Sequence, residues 1–285
     1  MHLPGQVSDG AREQFYDAVM AASTRPDAVF PALLRYWRHQ RGMSQLDLGL
    51  AAEVSARHVS FLERGRSQPS VEMVALLAET LDVPLRDRND LLRGAGFNPQ
   101  FPEPDIDELI SGPLGLALDT MLRHHEPYPM MVFDRLYNVV RVNSGGELFF
   151  AMAGVDDPIG ANLMQLLFDE TPRALIANWD QAAAELVRRL QREVLHRPND
   201  EELAGLLAEI LGQAGVPADW RQPDLLGPDD PMLTLNVRID AGIELYLLAT
   251  ITAFNAPGNV TLDELRIESY LPLDEATRLF FESPS

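Results

Sequence analysis

The sequence predicts two domains: an all-α domain of five short helices, followed by an α+β domain with an antiparallel sheet. Three observations predict this arrangement. The length of 285 residues exceeds the usual size of one domain. Residues 28–97 carry apolar positions at helical spacing, separated by caps, prolines and glycines. Beyond residue 107, strand-like runs with apolar and β-branched residues appear on both sides of a helical stretch.

Changes of composition predict the domain boundaries. Residues 1–25 read as an extension with one short helix, residues 26–97 as the five-helix domain and residues 108–285 as the α+β domain. The stretch between them, NPQFPEPDID at 98–107, contains three prolines and few apolar residues. We therefore expect a semi-rigid linker there.

The second domain reads as two strands, a group of helices and three more strands. A pair of strands around a turn at Asp134-Arg135 is predicted for PMMVFDRLYNVVRVN. Three antiparallel strands are predicted for MLTLNVRID, IELYLLATITAF and LRIESYLPL, with a hairpin turn at Asp240-Ala241-Gly242. This order favours helices on one face of a sheet. The helices are predicted at 144–153, 161–168, 172–196 and 201–213.

Charge is distributed unevenly along this acidic chain, whose formal net charge is −20. Between Arg25 and Pro99 there are ten arginines against nine acidic residues, whereas Gln100–Ser285 has 12 arginines against 31. The screening length at physiological salt is about 8 Å, so a distant acidic domain does not prevent a local contact with an anion. The acidic domain should weaken non-specific binding to nucleic acid.

The chain has no cysteine, which excludes disulfides and thiolate metal sites and fits a reducing cytosol. The longest apolar run is shorter than the roughly 18 residues of a membrane span. The first residues, MHLPGQVSDGAREQ, lack the basic and apolar regions of a signal peptide. We therefore expect a cytoplasmic protein that does not act in a membrane.

Residues 44–66 predict a helix, a short turn and a second helix with polar residues outward, which is helix-turn-helix geometry. Ser44 and Ser55 are good N-caps, and helix N-termini attract phosphates. Small residues where the helices would cross are Gly49, Ala51 and Ala52. The apolar residues expected to face inward are Leu46, Leu48, Leu50, Val54, Val59 and Leu62.

The outer face of the second helix carries the candidates for contact with DNA. Arg57 is the best candidate base reader, because a guanidinium can fork to guanine O6 and N7. Gln45 can donate to a phosphate, and Arg64 and Arg66 flank Gly65 where the chain leaves the groove. The full set of DNA-contact candidates is Gln45, Ser55, Ala56, Arg57, Ser60, Phe61, Arg64 and Arg66.

The stretch MSQLDLGLAAEVSARHVSFLERGRSQPS resembles the helix-turn-helix of XRE and phage-repressor regulators. The resemblance covers residues 31–97 and includes Ser-Gln, Leu-Glu-x-Gly and Pro-Ser at the family's positions. It implies a lambda-repressor-like fold and double-stranded DNA as partner. It also implies that Gln45 holds a phosphate, and it places the other contacts at Ala56, Arg57, Phe61, Arg64 and Arg66. Glu53 departs from the family, which usually has glycine in the turn.

Three later stretches, VFDRLYNVVRVN, ANWDQAAAELVRRLQREV and ATITAFNAPGNVTLDELRIESYLPLDEAT, resemble the MmyB-like ligand-binding domain. The resemblance spans about residues 105–280 and implies a PAS-like fold that holds a small, fatty-acyl ligand and needs no other cofactor. Methionines and aromatic residues favour an adaptable pocket. The pocket candidates are Met131, Phe133, Phe149, Phe150, Met152, Leu163, Leu167, Trp179, Leu186, Arg189, Leu235, Tyr246 and Leu248.

These observations predict a ligand-responsive transcription regulator that binds DNA as a homodimer, on half-sites roughly one DNA turn apart. In the alternative, the second domain has a solid core and only dimerises or recruits a partner. A chromophore or haem sensor is a third alternative, and the absence of cysteine and of a well-placed histidine argues against it. The chain shows no glycine-rich phosphate loop, Gly-x-Ser-x-Gly or His-Glu-x-x-His, so we expect neither an enzyme nor a metal site.

Overall fold

A computed structural model describes residues 29–283, except 198, 214, 222–232, 240–241, 255 and 257. The chain forms two compact units. The first holds the described residues up to Glu103 and a short segment that ends at Val260, and the second holds the remainder. The short helix predicted within residues 1–25 and the turn residues Asp240 and Ala241 lie outside the described residues.

The first unit contains the five predicted helices. They are α1 (Val29–Gln40), α2 (Gln45–Ala51), α3 (Ala56–Glu63), α4 (Val71–Thr80) and α5 (Leu85–Gly94). Serines at 44, 55 and 70 cap α2, α3 and α4, each accepting a hydrogen bond from a backbone N–H of the first turn. One shared core holds the helices together, and its most buried members include Phe30, Leu34, Trp37, Leu48, Val59, Leu62, Val74, Leu77 and Leu91.

Two of the apolar residues assigned to the interior of α2 lie on its surface, so that prediction was wrong. Leu46 is 59% exposed and Leu50 is 71% exposed, whereas Leu48 is fully buried. Residues four apart share one face of a helix, while residues two apart lie on nearly opposite faces. Burial of Leu48 therefore turns both neighbours toward solvent. Ala51 is exposed as well, and Ala52 is the buried alanine of this helix end.

The first part of the predicted linker is fixed to α5 by one buried side chain. Asn89 donates to the carbonyl oxygen of Phe101 and to the Glu103 carboxylate, at 2.8 and 2.7 Å. Its own amide oxygen accepts from the backbone N–H groups of Gln100 and Phe101. Arg86 also pairs with Glu103, at 3.0 Å. The stretch 100–103 thus follows the surface of α5.

The second unit begins with two helices that the sequence reading did not assign, α6 (Ile106–Ile110) and α7 (Pro113–His125). Among its described residues, five strands and seven further helices follow, with a short 3-10 helix at Ala218–Arg221. In chain order the regular elements are β1 (Met130–Phe133), β2 (Val139–Val142), α8 (Ser144–Met152), α9 (Leu163–Phe168), α10 (Glu170–Leu175), α11 (Trp179–His196), α12 (Glu201–Gly212), β3 (Leu233–Ile239), β4 (Ile243–Ala253), α13 (Val260–Glu264), β5 (Arg266–Pro272) and α14 (Glu275–Glu282).

The five strands form one antiparallel sheet in the order β2-β1-β5-β4-β3. The predicted pairing of two strands followed by three is confirmed, with the last strand joining the two groups at the centre. The helix predicted over 172–196 is instead two helices, because the residues between α10 and α11 contact the sheet edge. Ile176 bridges to Val237, and the N–H of Ala177 donates to the carbonyl of Asn236.

Helices cover both faces of part of the sheet, so the prediction of helices on one face was wrong. On one face, strand residues such as Met131, Leu235 and Leu247 pack with α8 to α12 in a large core. On the other face, Met130, Val132, Val140 and Ile267 pack with the buried residues of α6 and α7, Ile110, Leu118 and Leu122. Successive strand residues point to opposite faces, so β1 contributes to both cores.

Candidate functional site

Helices α2 and α3 cross in direct contact at Gly49. A Cβ added at this glycine would lie 2.8 Å from the carbonyl oxygen of Val54 and 2.9 Å from the backbone nitrogen of Ala56. Contacts that short do not occur for a side chain, so only glycine allows this approach. The crossing therefore fixes the angle between the two helices, as the small-residue argument predicts for Gly49.

The turn between the two helices contains a backbone position of positive φ at Glu53, where the resembled family usually has glycine. Glu53 has a φ of 55°, in the left-handed region that favours glycine. The side chain is exposed, so the strain is confined to the backbone. The helices on either side are nevertheless fully formed and capped.

The outer face of α3 presents an arginine supported by an aromatic ring. Arg57 is exposed, and its guanidinium carbon lies 5.2 Å from the centre of the Phe61 ring, one helical turn further on. A cation over an aromatic face is attracted by the ring quadrupole. Phe61 and Ala56 are themselves half-buried. The ring therefore holds the Arg57 guanidinium over the outer face of α3.

Ser60, a candidate for base contact, is buried at 7% exposure, so it does not belong to the outer face. Residues 59, 60, 62 and 63 form one continuous buried side of α3, because their positions fall within half a helical turn of each other. The Arg64 side chain folds back along the helix and donates to the carbonyl and hydroxyl oxygens of Ser60. Arg64 and Arg66 are exposed at the helix end, and Ser55 at its start.

Gln45, the candidate phosphate ligand, is held by a buried ion pair. Glu63 at the end of α3 receives two hydrogen bonds from Arg38, at 2.5 and 3.1 Å. The same carboxylate accepts from Nε2 of Gln45 at 2.7 Å. Arg38 also donates to the carbonyl oxygen of Met43, just before the cap of α2. Helices α1, α2 and α3 therefore meet at one carboxylate, which also sets the direction of the Gln45 side chain.

Most pocket candidates of the second unit converge on the large core between the sheet and helices α8 to α12. Seven belong to its buried cluster, and Phe149 and Leu163 pack against it. Aromatic contacts link them, for example Phe168 against Trp179 at 5.5 Å. Met152 is half-buried at the end of α8. The seven are Met131, Phe133, Phe150, Leu167, Trp179, Leu186 and Leu235.

Tyr246 and Leu248 do not join this group, because they lie on the opposite face of the sheet. Their neighbours Leu245 and Leu247 are fully buried in the large core. Since side chains alternate along a strand, Tyr246 and Leu248 point the other way. Both are half-buried, and the Tyr246 hydroxyl donates to Glu244. The prediction for these two residues was wrong, because the register of β4 decides which of its bulky side chains face the large core.

Arg189 reaches into the large core and meets polar residues there. Its Nε donates to the hydroxyl oxygen of Tyr137 at 3.2 Å, and its guanidinium carbon lies 5.0 Å from the centre of that ring. Its Nη2 lies 3.6 Å from Oε2 of Glu268, whose other oxygen accepts from the Tyr270 hydroxyl at 2.6 Å. Neither Arg189 Nη2 nor Glu268 Oε2 has a hydrogen-bond partner in the described part of the chain.

Burial controls the protonation of the two tyrosines in this polar group. Burial raises the pKa of Tyr137 above its ordinary value, although the charge of Arg189 partly opposes the shift. Burial and the neighbouring Glu268 likewise raise the pKa of Tyr270. Both phenols therefore stay neutral and remain hydrogen-bond donors throughout the physiological pH range. The polar group consists of the Arg189 guanidinium, the Glu268 carboxylate and two neutral hydroxyls, with the Glu193 carboxylate beside Tyr137.

Metal sites and membrane spans have recognisable patterns of residues. Among residues 29–283, with the gaps given above, no three His, Asp or Glu side chains cluster as metal ligands. His124 and His125 contact different backbone carbonyls, those of Thr120 and Tyr270. In the same part of the chain no helix is both long and apolar enough to cross a membrane.

Comparisons with known proteins agree with the two units. Residues 34–87 match the family model described as helix-turn-helix. Residues 115–283 match the model of the MmyB-like transcription regulator ligand binding domain. Over 64 residues the chain is 41% identical to the HTH-type transcriptional regulator DdrOP3 of Deinococcus deserti. That alignment covers 22% of this chain and 47% of the relative, so it spans about half of the relative's length.

Sequence reasoning missed four residues that organise these sites. Glu63 belongs to the quoted Leu-Glu-x-Gly motif, but the motif did not reveal that its carboxylate is buried against Arg38. Tyr137, Glu268 and Tyr270 come together only because β5 lies beside β1. A weak signal was present in β5, where Glu268 follows the apolar Ile267 and lies on the same face of the strand as Tyr270.

Proposed function

Because this chain belongs to the family of MmyB-like transcription regulators, we propose that it is a cytoplasmic regulator that binds DNA sequence-specifically and responds to a small apolar ligand. The helix-turn-helix unit binds the operator. The α+β unit takes up a ligand of fatty-acyl type and modulates operator binding. The observation that carries the DNA proposal is Arg57, exposed on a capped helix and directed by Phe61.

Two kinds of DNA contact are assigned to this surface. Arg57, with Ala56 and Phe61 beside it, reads base edges in the major groove, since a forked guanidinium distinguishes guanine by about 1–3 kcal/mol. Gln45, the N-terminus of α3 at Ser55 and the exposed Arg64 and Arg66 hold phosphates and fix the register. A homodimer with two such units reads half-sites about one DNA turn apart.

The DNA proposal is tested by selecting preferred duplexes from a random library with the wild-type protein and its variants. We expect wild type to enrich a defined sequence. Arg57→Ala flattens the preference, because it removes base readout. Gln45→Ala weakens binding to all sequences alike, because it removes a phosphate contact.

Arg57→Lys is the matched control for charge. It keeps the positive charge but loses the forked geometry, so it should retain general affinity and lose discrimination. Equal enrichment of all sequences by the wild type would contradict the proposal. A variant Arg57→Ala with unchanged preference would remove Arg57 from the reading surface.

Ligand binding is assigned to the large core between the sheet and helices α8 to α12. Its residues are apolar apart from the group around Arg189, which suits a ligand with a long apolar body and one polar end. The five-stranded antiparallel sheet supports the PAS-like arrangement that the resemblance implies. Ligand and operator must influence each other's affinity equally if they are coupled.

In the competing proposal, the second unit has a solid core without a ligand site and serves only in dimerisation or partner recruitment. It is favoured by the close packing of the pocket candidates, of which Met131 is fully buried and Phe133 is 1% exposed. Native mass spectrometry separates the two functions. A co-purified mass of a few hundred daltons (on the order of one lipid chain) supports ligand sensing, and a ligand-free dimer that no lipid alters supports the competing function.

A further inference from the structure

The Arg189–Glu268 pair is an incomplete polar contact inside an apolar core. The guanidinium Nη2 and the carboxylate Oε2 face each other at 3.6 Å, beyond hydrogen-bond distance. Both atoms are buried and have no hydrogen-bond partner in the described part of the chain. Buried polar atoms are rarely left without partners, because each one loses its hydration without compensation. The pair therefore has one donor and one acceptor available for another molecule.

We propose that this pair binds the polar head of the domain's ligand, and that the head is a neutral group that both donates and accepts a hydrogen bond. An alcohol hydroxyl or a primary amide has this chemistry. The inference rests on the proposed ligand-sensing function. It keeps the long apolar chain of the proposed ligand and assigns that chain a neutral head in place of a carboxylate.

The donor and acceptor inventory of the pair decides between head groups. A guanidinium can only donate and a carboxylate can only accept. A hydroxyl accepts from Arg189 and donates to Glu268, so it satisfies both atoms. A ligand carboxylate accepts from Arg189 but leaves Glu268 Oε2 without a donor. It also brings a second negative charge beside Glu268 in a poorly solvated site, where like charges repel strongly.

The other polar groups around the pair are already engaged. The Tyr137 hydroxyl accepts from Arg189, and the Tyr270 hydroxyl donates to Glu268. They therefore hold the guanidinium and the carboxylate in place. Glu193 adds a negative charge near Arg189 and Tyr137. The Arg266 guanidinium interacts with both Glu193 and Tyr137 and offsets part of that charge.

Aromatic rings surround the polar pair and supply surface for an apolar chain. Phe133 stacks on Tyr137 with 5.2 Å between ring centres, and Phe149 lies 5.3 Å from Tyr270. Leu186 and Leu190 are buried on the same helix as Arg189. Apolar walls with a few convergent polar groups are typical of small-molecule sites.

The test measures the binding of two ten-carbon probes, 1-decanol and decanoate, to the delipidated full chain by isothermal titration calorimetry. At pH 8 the carboxylic acid is ionised and the alcohol is neutral. We expect the wild-type protein to bind decanol at least about tenfold more tightly than decanoate. Equal or tighter binding of decanoate overturns the inference while ligand sensing stands. Binding of neither probe contradicts ligand sensing itself, and with it this inference.

Glu268→Gln tests the charge argument directly. The substitution removes the negative charge and leaves Arg189 free to pair with an anion, so the preference should shift toward decanoate by about tenfold or more. Glu185→Gln is the control for loss of a carboxylate: it removes one from α11, the helix of Arg189, where Glu185 pairs with Arg188, and should leave the preference unchanged. A purely structural role of Glu268 predicts the same preference in both variants. The wild-type comparison decides the question even if the Glu268 variant fails to fold.

Discussion

At the scale of single residues, the helix-turn-helix unit contains a buried carboxylate, Glu63, that makes internal contacts, and an exposed arginine, Arg57. Glu63 is 2% exposed and holds Arg38 and Gln45. Arg57 is exposed and is directed only by the Phe61 ring. A buried ion pair has a large desolvation cost, but losing one partner costs about 3–5 kcal/mol because the other charge stays buried. Glu63 therefore specifies the arrangement of three helices, whereas Arg57 remains available for DNA.

Glu53 allows a prediction about stability. At its φ of 55°, a residue with a Cβ costs about 1 kcal/mol relative to glycine. Glu53→Gly should therefore slow amide hydrogen exchange of α2 and α3 in the full chain, corresponding to a gain of about 1 kcal/mol in opening free energy.

Glu53→Ala is the control, since it removes the carboxylate but keeps the Cβ and the strain. It should leave the exchange rates close to those of the wild type. The strain argument fails if alanine protects these amides as well as glycine does.

At the scale of elements, the first part of the linker is held against the preceding helix, α5. Asn89 is fully buried and makes four hydrogen bonds to the stretch 100–103. The Phe101 ring packs against the core of the first unit. The prolines predict a semi-rigid linker. The hydrogen bonds from the Asn89 side chain to the backbone of this stretch are a second reason to expect it.

Replacing Asn89 by alanine should detach this stretch. Buried backbone groups would lose their partners at a cost of about 1–3 kcal/mol. The backbone N–H groups of Gln100 and Phe101, which donate to Asn89 in the wild type, should then exchange with solvent at least about fivefold faster, because exchange follows the population of the open form.

Asn98→Ala is the matched control for this experiment, because Asn98 is exposed just before the fixed stretch. We expect no change in the exchange rates of the Gln100 and Phe101 amides in this variant. Equal exchange in the Asn89 variant and the wild type would mean that the linker is held by the prolines and Phe101 alone.

At the scale of the whole molecule, the acidic charge belongs to the part that does not read DNA. Arg25–Pro99 is nearly neutral, with ten arginines against nine acids, while Gln100–Ser285 has 12 against 31. The long-range field of the acidic part opposes unspecific approach to a polyanion, while screening at physiological salt limits its range to about 8 Å. Specific contacts at short range are therefore less affected than non-specific association.

A comparison of the full chain with a fragment of residues 25–103 tests this effect. The fragment should bind random-sequence DNA more tightly at low salt, and the difference should shrink as the salt concentration rises. The measurement is a salt titration of binding to a random duplex by fluorescence anisotropy. Equal affinities at low salt would show that the acidic charge does not act on DNA binding.

Local sequence features by themselves determined the helix-turn-helix unit and the strands of the second unit. Caps such as Ser44 and Ser55, and the close approach at Gly49, act over a few residues, so the pattern was sufficient to predict them. The helix pair α6–α7 was missed, because Gly115 weakens its helical pattern. That glycine is needed there, since an added Cβ would lie 1.8 Å from the carbonyl oxygen of Ile110.

Only the tertiary structure decided which side chains meet. Ser60 is buried and Leu46 and Leu50 are exposed, contrary to the prediction. The neighbouring elements that pack against a helix determine which of its faces is buried. Tyr246 and Leu248 do not line the proposed pocket, because the register of β4 places their side chains on the opposite face of the sheet. The pair of Arg189 with Glu268 joins residues 79 positions apart, through the placement of β5 against β1 and of α11 over the sheet. Such contacts depend on long-range packing, which the spacing of residues along the chain does not encode.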